Sequence, residues 1–449
     1  SFSATGVMHV LAVSGLHVGI IYAIIFYSLQ YLRLNRRKYR WLMAGISIGV
    51  LWSYAVITGL SPSVLRAVTM FSFVALGRAL FRSGNVYNTL ALSAMVLLAF
   101  NPYLIMSVGF QLSYLAVFGI VFLHPKLYGL FVIENKILDK VWSITCVSIA
   151  AQLATGPLSL LYFDQFPSYF LVSNLFIIPA AFVILVSGLI LLLLALAPAL
   201  AELWGEALTA FIKAITWAVE TVSRFPGSTI EGVYLSILDT WLMYGLLVSL
   251  TLYFLLRKVK WLHYTFLLSI ALATSQILHF RDFAKSSEVA VLHLNRGTVI
   301  DFRKGFKGKV LADSAFLSDK ESQQFNLYGK RLLSGVSQKI ENDDISFPRQ
   351  ALPFGELMVF EGRSVLWLTD AIGSSMMDST ELKVDYLIIS NNAIRSKNDL
   401  PEFLKPKKVI LDNSNSPFRM KALNESFKAH QIPGHQIGLN GYFSSLWKK

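Results

Sequence analysis

The sequence contains a single cysteine, Cys146, set in an apolar run. One thiol builds no disulfide framework and no cysteine-based metal site. Histidine is also scarce, with eight in the chain. None forms an H-x-H, an H-E-x-x-H or a cysteine pair, which argues against a dedicated transition-metal centre. No Walker motif, G-x-S-x-G or G-x-G-x-x-G is present. The chain therefore carries no ATPase of its own to power transport. Long repeats and low-complexity linkers are missing too. The chain opens at Ser1 without a signal peptide, so an upstream part is expected to be absent. Charge is sparse in the first 280 residues, with sixteen Lys and Arg against eight Asp and Glu.

What is there is grease. The 449 residues are 54% hydrophobic and 13% aromatic, with net charge +13 and mean hydropathy +0.54. No soluble protein of this size has that composition, so membrane integration follows. Residues 281–449 differ, holding twenty-four basic and nineteen acidic residues. That is soluble-domain composition and sets a boundary near Arg281. The expected fold class is a polytopic α-helical membrane part, residues 1–280, followed by a soluble α/β domain, residues 281–449.

The chain is organised around its first stretch. From Val7 to Leu32 there is no Asp, Glu, Lys or Arg, enough to cross a bilayer core that needs about 20 apolar residues. Yet it holds His9, Ser14, Gly15, His17 and Gly19. Gly15 and Gly19 make a G-x-x-x-G step that lets another helix approach. Ser14 and His17, three apart, share a helix face. His9 lies about 80° from His17 on a 3.6-residue helix and can look the same way. Two readings stand: a polar stripe facing a cavity, or structural histidines bonded between helices.

Further spans are expected at 41–58, 62–80, 86–100, 103–123, 141–162, 169–196, 237–256 and 261–280. Arg33 to Arg40 carries five basic residues, and the excess of Lys and Arg places that loop, 125–140 and 257–260 in the cytoplasm. Gln111 reads as a buried polar group near mid-span. Asn174 and Pro179 break the span at 169–196. Residues 200–225 are amphipathic, and lie in the interface or line the bundle. In the soluble part, strands are expected at 289–294, 298–302, 309–311, 357–360, 365–368, 386–390 and 408–411, with helices at 313–328, 400–404 and 420–429. Arg66, four residues past Pro62, either meets phosphate along a polar passage or snorkels to the interface.

T-G-V-M-H-V-L-A-V-S-G-L-H-V from Thr5, G-L-S-P-S-V-L-R-A from Gly59, V-G-F-Q-L-S-Y-L-A-V from Val108 and N-L-F-I-I-P from Asn174 resemble the competence region of the ComEC family. The resemblance implies an inner-membrane, multi-pass channel that carries single-stranded DNA into the cytoplasm during natural transformation. It implies a cytoplasmic DNA-translocating ATPase and DNA-receptor proteins as partners, beside membrane lipid. Residues 286–449 resemble the family's metallo-β-lactamase-like domain, read there as a nuclease for the strand not imported. The chemistry departs from it. The family's opening L-D-V-G-Q-G-D stands here as L-H-L-N-R-G-T, Leu292 to Thr298. Its H-x-H-x-D-H motif is gone, and its His-His-Gly has become Asn391, Asn392 and Ala393. Only Asp370 matches a metal-bridging carboxylate, and one carboxylate holds no two-metal site. The domain is expected to be extracytoplasmic, without metal, cofactor or catalysis, and kept for DNA docking or for packing on the channel. His9, Ser14, His17, Arg66, Gln111, Ser113 and Asn174 are the expected DNA lining, with Phe110 and Tyr114 as stacking candidates. Two rivals remain: a membrane-anchored hydrolase or nuclease working through the C-terminal domain, and a secondary transporter of a small polar solute.

Overall fold

The computed structural model describes residues 14–32, 38–81, 84–231, 233–294, 297–323, 326–327, 330–331, 345–372, 382–394, 403–429 and 431–448. His9 and most of the basic loop at 33–40 lie outside them. Two compact units divide inside one helix, between Thr265 and Phe266.

In the first unit, α1 (Gly15–Tyr31) begins later than expected, because Ser14 is extended and caps it. α2 (Arg40–Ile57) and α3 (Pro62–Ala79) follow. Pro62 starts α3 where its missing N–H costs nothing; Ser61 holds the N-cap position but makes no side-chain cap, its hydroxyl buried without a partner among the described residues. α4 (Val86–Phe100) starts where the Asn85 side chain accepts from the Tyr87 amide. The span expected at 103–123 is two pieces. A short 3-10 helix, Pro102–Met106, ends at Ser107, whose hydroxyl then caps α5 (Val108–Tyr128). The break puts Gln111 in the first turn of α5, not at mid-span.

α6 (Lys136–Phe163) and α7 (Phe170–Leu194) run unbroken through Pro157 and Pro179. The expected break in α7 is therefore absent. A proline deletes only one backbone donor, and apolar packing on either side keeps the helix going. α8 (Pro198–Ser223) lies along α7: the Trp204 indole donates to the Ser187 carbonyl at 3.3 Å, and Val219 packs on Ile177. Those pairings make the two helices antiparallel. A small ribbon, β1 (Gln165–Pro167) with β2 (Thr229–Glu231), ties the start of α7 to the segment after α8. So α8 carries the chain back to the end from which α7 left. α9 (Ile237–Leu256) and α10 (Val259–Lys285) complete the helices. Six of the described helices, α2, α5, α6, α7, α9 and α10, are long and apolar enough to cross a membrane. The chain is a multi-pass membrane protein.

Small residues bring the helices together. Ala67, Ala75 and Ala79 of α3 pack with Val18 and Tyr22 of α1 and with Ala44, Leu51 and Ala55 of α2. On α5, a Cβ at Gly119 would stand 2.3 Å from the Ala154 Cβ of α6, so only glycine fits that contact.

The second unit carries the expected α/β domain. One sheet is β12 (Phe443–Lys448), β3 (Ser286–Val291), β4 (Val299–Lys304) and β5 (Lys307–Ala312), all antiparallel. The other runs β11 (Gly434–Gln436), β10 (Leu404–Leu411), β9 (Leu382–Ile389), β8 (Arg363–Leu368), β7 (Gly355–Phe360), β6 (Arg349–Leu352), with β8 to β11 parallel. Val291, Ile300 and Phe302 of the first sheet meet Phe360, Val365 and Ile388 of the second in one core. Each such buried side chain is worth about 1.5–3 kcal/mol. Outside the second sheet, Met420, Leu423 and Phe427 of α13 (Pro417–Ala429) cover Leu366, Leu387 and Leu411. Outside the first, Phe316 of α11 (Ser314–Ser318) joins Val299 and Val310. Two further short helices are α12 (Lys320–Gln323) and α14 (Ile437–Asn440).

All seven expected strands are present; six are longer than read, and the first is shifted three residues toward the N-terminus, to Ser286–Val291. β6, β11 and β12 carry too few apolar residues in alternation to be seen. The helix expected at 313–328 is divided into α11 and α12 within its described part, because Asp319 breaks out into extended backbone. The helix expected at 400–404 is not there at its described end: Leu404 opens β10, pairing with Leu382. Its earlier residues lie outside the described ones. A buried charge cluster closes the first sheet, where Glu288 takes Arg303 at 3.1 Å and Lys330 at 3.0 Å. Burial pushes the Glu288 carboxyl up, but Lys330, Ser444 and Arg303 outweigh it and hold it below its ordinary range.

Candidate functional site

Arg66 stands in the second turn of α3 and is only 6% exposed, so it does not snorkel. The Ala- and Val-rich face of α3 turns inward and takes Arg66 with it. Its Nη2 lies 2.7 Å from where a Cβ on Gly15 would be, against the opening turn of α1. Its guanidinium carbon is 6.0 Å from the centre of the Tyr114 ring of α5. The Tyr114 hydroxyl lies 3.0 Å from Ser93 Oγ, on α4. Ser93 already donates to the Leu90 carbonyl at 2.7 Å, so it accepts from Tyr114. Residues of α1, α3 and α5 thus surround one cation, and α4 holds the tyrosine beside it. Its Nε is buried without a hydrogen-bond partner among the described residues. No acid precedes Glu134 in the sequence, so α1 to α5 offer it no carboxylate. A charge so placed is costly, and function is the default account of it.

The other expected lining residues are distributed unevenly. Ser14 and His17 do come together, Oγ to Nδ1 at 3.0 Å, but as the cap of α1. Gln111 is committed elsewhere: its Nε2 donates to the Ile105 carbonyl at 2.7 Å and its Oε1 accepts from Tyr162 at 3.2 Å. Ser113 is half-buried beside Tyr114. Asn174 is buried on α7, and its carboxamide oxygen has no partner among the described residues. Phe110 and Tyr114 pack on each other in a tilted pair, 4.4 Å between centroids, rather than standing open. Sequence reasoning missed Thr69 and Ser173, buried hydroxyls that also lack partners among the described residues. Thr69 was signalled only by lying three residues past Arg66. Ser93 gave no signal at all. Beside Gly15 an apolar groove of about 690 Å³ runs along α1, closed by Phe71 of α3 and Phe182 of α7.

In the second unit the ends of β9 and β10 gather a polar cluster. Asp412, 1% exposed, is its centre. One carboxylate oxygen accepts from Ser390 Oγ at 2.6 Å and from the Thr298 hydroxyl. The other accepts from Ser414, by Oγ at 2.6 Å and N at 3.1 Å, and from Asn415 Nδ2 at 2.9 Å. The Trp367 indole donates to Ser390 at 2.9 Å. Burial raises the Asp412 carboxyl above its ordinary range, although Ser390, Ser414 and Thr298 pull the other way. Thr298, Asn391 and Asn392 are among the positions where the resemblance places acids and histidines. Asn391 and Asn392 donate their backbone N–H groups to Ser414 Oγ and Asn415 Oδ1, and the Asn392 carboxamide oxygen accepts from the Ser416 amide. Asp370 is exposed and bonded to its neighbour Thr369. These residues do not fit a metal pair: both Asp412 oxygens are saturated by protein donors. Among the described residues no group of three His, Cys, Asp or Glu could hold a metal ion.

Comparison with known proteins adds to this geometry. The family described as "Competence protein" matches residues 1–285, and the one described as "ComEC C-terminal domain" matches residues 289–447. The chain is 31% identical over 230 residues to "ComE operon protein 3" of Bacillus subtilis (strain 168), covering 50% of this chain and 28% of that protein. It is 32% identical over 157 residues to an "Uncharacterized protein" of Aquifex aeolicus (strain VF5), covering 35% of this chain and 34% of that one. The chain spans about a third or less of the length of these curated relatives. No solved structure matches it.

Proposed function

Because the chain belongs to the Competence protein family, we propose that it is the inner-membrane channel that passes single-stranded DNA into the cytoplasm during natural transformation. The observation that carries the reading is Arg66, a buried guanidinium with an unpartnered Nε and no acid anywhere on α1 to α5. A phosphate strand moving past would supply the missing anions one at a time. Thr69, Ser173 and Asn174, with unpartnered buried oxygens, extend the polar lining, and Ser14, His17, Gln111 and Ser113 add to it. His9 is kept in the same role. A cytoplasmic DNA-translocating ATPase pulls the strand, since the sequence carries no nucleotide-binding motif; receptor proteins deliver it.

Residues 1–280 form the channel domain in this reading. Residues 281–449 form an extracytoplasmic domain that is catalytically silent, its former metal ligands replaced by the hydrogen-bonded cluster on Asp412.

Transformation frequency and membrane abundance, measured together, test the reading. Arg66→Ala is expected to abolish uptake at near-normal abundance, and Arg66→Lys to recover part, keeping charge but losing the planar fork. Normal uptake in Arg66→Ala would remove Arg66 from the channel. Collapse of abundance would make it a structural group, at about 3–5 kcal/mol for a broken buried pair.

A further inference from the structure

We propose that the opening turn of α1 and the Arg66 guanidinium form one binding site for a single phosphodiester group. The inference rests on the channel reading and names where the strand is gripped. Two positive ends meet there. Ser14 caps the third amide of α1, but the first amides of a helix have no partner within it, and its N-terminus carries about half a positive charge. A cation belongs at the opposite end of a helix, yet Arg66 Nη2 lies 2.7 Å from the Cβ position of Gly15, the first residue of α1. Arg66 is 6% exposed, so solvent screens the encounter little. Its Nε lacks a partner among the described residues, and no acid precedes Glu134. Like charges held together away from solvent call for an anion beside them.

The geometry points to phosphate. Nε and Nη2 form one edge of the guanidinium fork, which matches two oxygens of a phosphodiester. Helix N-termini take the same group through their amides. Tyr114 and Ser93 hold the guanidinium from behind, 6.0 Å from the ring and 3.0 Å between hydroxyls. Gly15 is the notch. Any side chain there must displace the far end of Arg66, a flexible group that can yield without unfolding the helix.

Gly15→Ala is therefore the sharpest test. Alanine favours helix over glycine, so abundance and insertion should match or exceed those of the parent chain. Gly49→Ala is the control, because a Cβ there meets nothing within 4 Å. The full chain in nanodiscs would be titrated with a short oligothymidylate and with its methylphosphonate analogue, whose backbone carries no charge. The parent chain should prefer the phosphodiester, and Gly15→Ala should weaken that binding about tenfold or more, the worth of a charge-assisted hydrogen bond. The methylphosphonate affinity should not change. Gly49→Ala should bind like the parent. Repeating the titration in discs with and without phosphatidylglycerol separates strand from lipid headgroup. Equal oligonucleotide affinity in both supports the proposal; loss of it in the anionic discs alone would assign the site to lipid and overturn it. Parent-like binding by Gly15→Ala would overturn it as well. If the parent binds no oligonucleotide and Arg66→Ala still transforms normally, the channel reading itself fails.

Discussion

At the scale of single residues, Arg66 and Asp412 solve opposite problems. Arg66 is a buried charge whose Nε has no hydrogen-bond partner among the described residues. Asp412 is a buried carboxyl given five donors by Thr298, Ser390, Ser414 and Asn415. Its raised pKa has a definite sign. The folded chain keeps a proton that the unfolded chain releases above 3.8. Stability therefore falls as pH rises from 3.8 through the raised value, and the burden persists at neutral pH. Asp412→Asn should remove that slope while keeping most of the bonds. Asp412→Ala should strand the donors, at about 1–3 kcal/mol for each group left unsatisfied. Hydrogen exchange of residues 382–394 in the full chain, followed against pH, reads both. Equal exchange in Asp412→Ala and the parent would refute the structural role.

At the scale of elements, the α7–α8 hairpin decides what composition left open. Residues 200–225 hold Glu202, Glu206, Lys213 and Glu220 among Leu, Trp and Phe, and an amphipathic helix of that kind suits either the interface or a bundle. The ribbon pairing Phe166 with Ile230 brings both ends of the hairpin together, and the contacts of α8 along α7 pack it against the bundle. With Cys146 replaced by serine, cysteines introduced at Ser168 and Gly227 should react alike with an impermeant thiol reagent. By the bias of Lys and Arg, both should be on the outer side, together with Lys307, opposite Lys258. Protection of a cysteine at the exposed Lys307 with reaction at Lys258 would invert the topology. The same scale shows why the span at 103–123 came apart. Asn101 and Ser107 each accept an amide that a continuous helix would have bonded internally, and such side chains compete with helix.

Taken as a whole molecule, the chain joins a helical bundle to a sandwich of two sheets. Zinc and manganese binding by the full chain, with single-strand cleavage alongside, should give neither stoichiometric metal nor cutting. Manganese-dependent cleavage lost in Asp370→Ala would restore the hydrolase reading. The ligand positions explain the expectation: serine, threonine and asparagine bond to one another and to Asp412, leaving no open pair of carboxylates.

The sequence by itself determined what depends on composition and local pattern. The membrane part is legible because about 20 apolar residues in a row have no other use. Seven strands are legible because Val, Ile and Leu recur in short bounded runs. The family is legible in residues around Gly15, Arg66, Gln111 and Asn174, and so is Arg66 as a candidate. What they do to one another is not. The meeting of Arg66 with Gly15, Tyr114 and Ser93 joins positions as far as 99 residues apart, and no periodicity links them. Asp412 reads as an ordinary loop acid until β4, β9 and β10 bring Thr298 and Ser390 to it. Tertiary structure decided those contacts because burial is a property of neighbours. It is burial that turns an arginine from a topology signal into an unpaired charge, and an aspartate from a solvated one into the centre of a network.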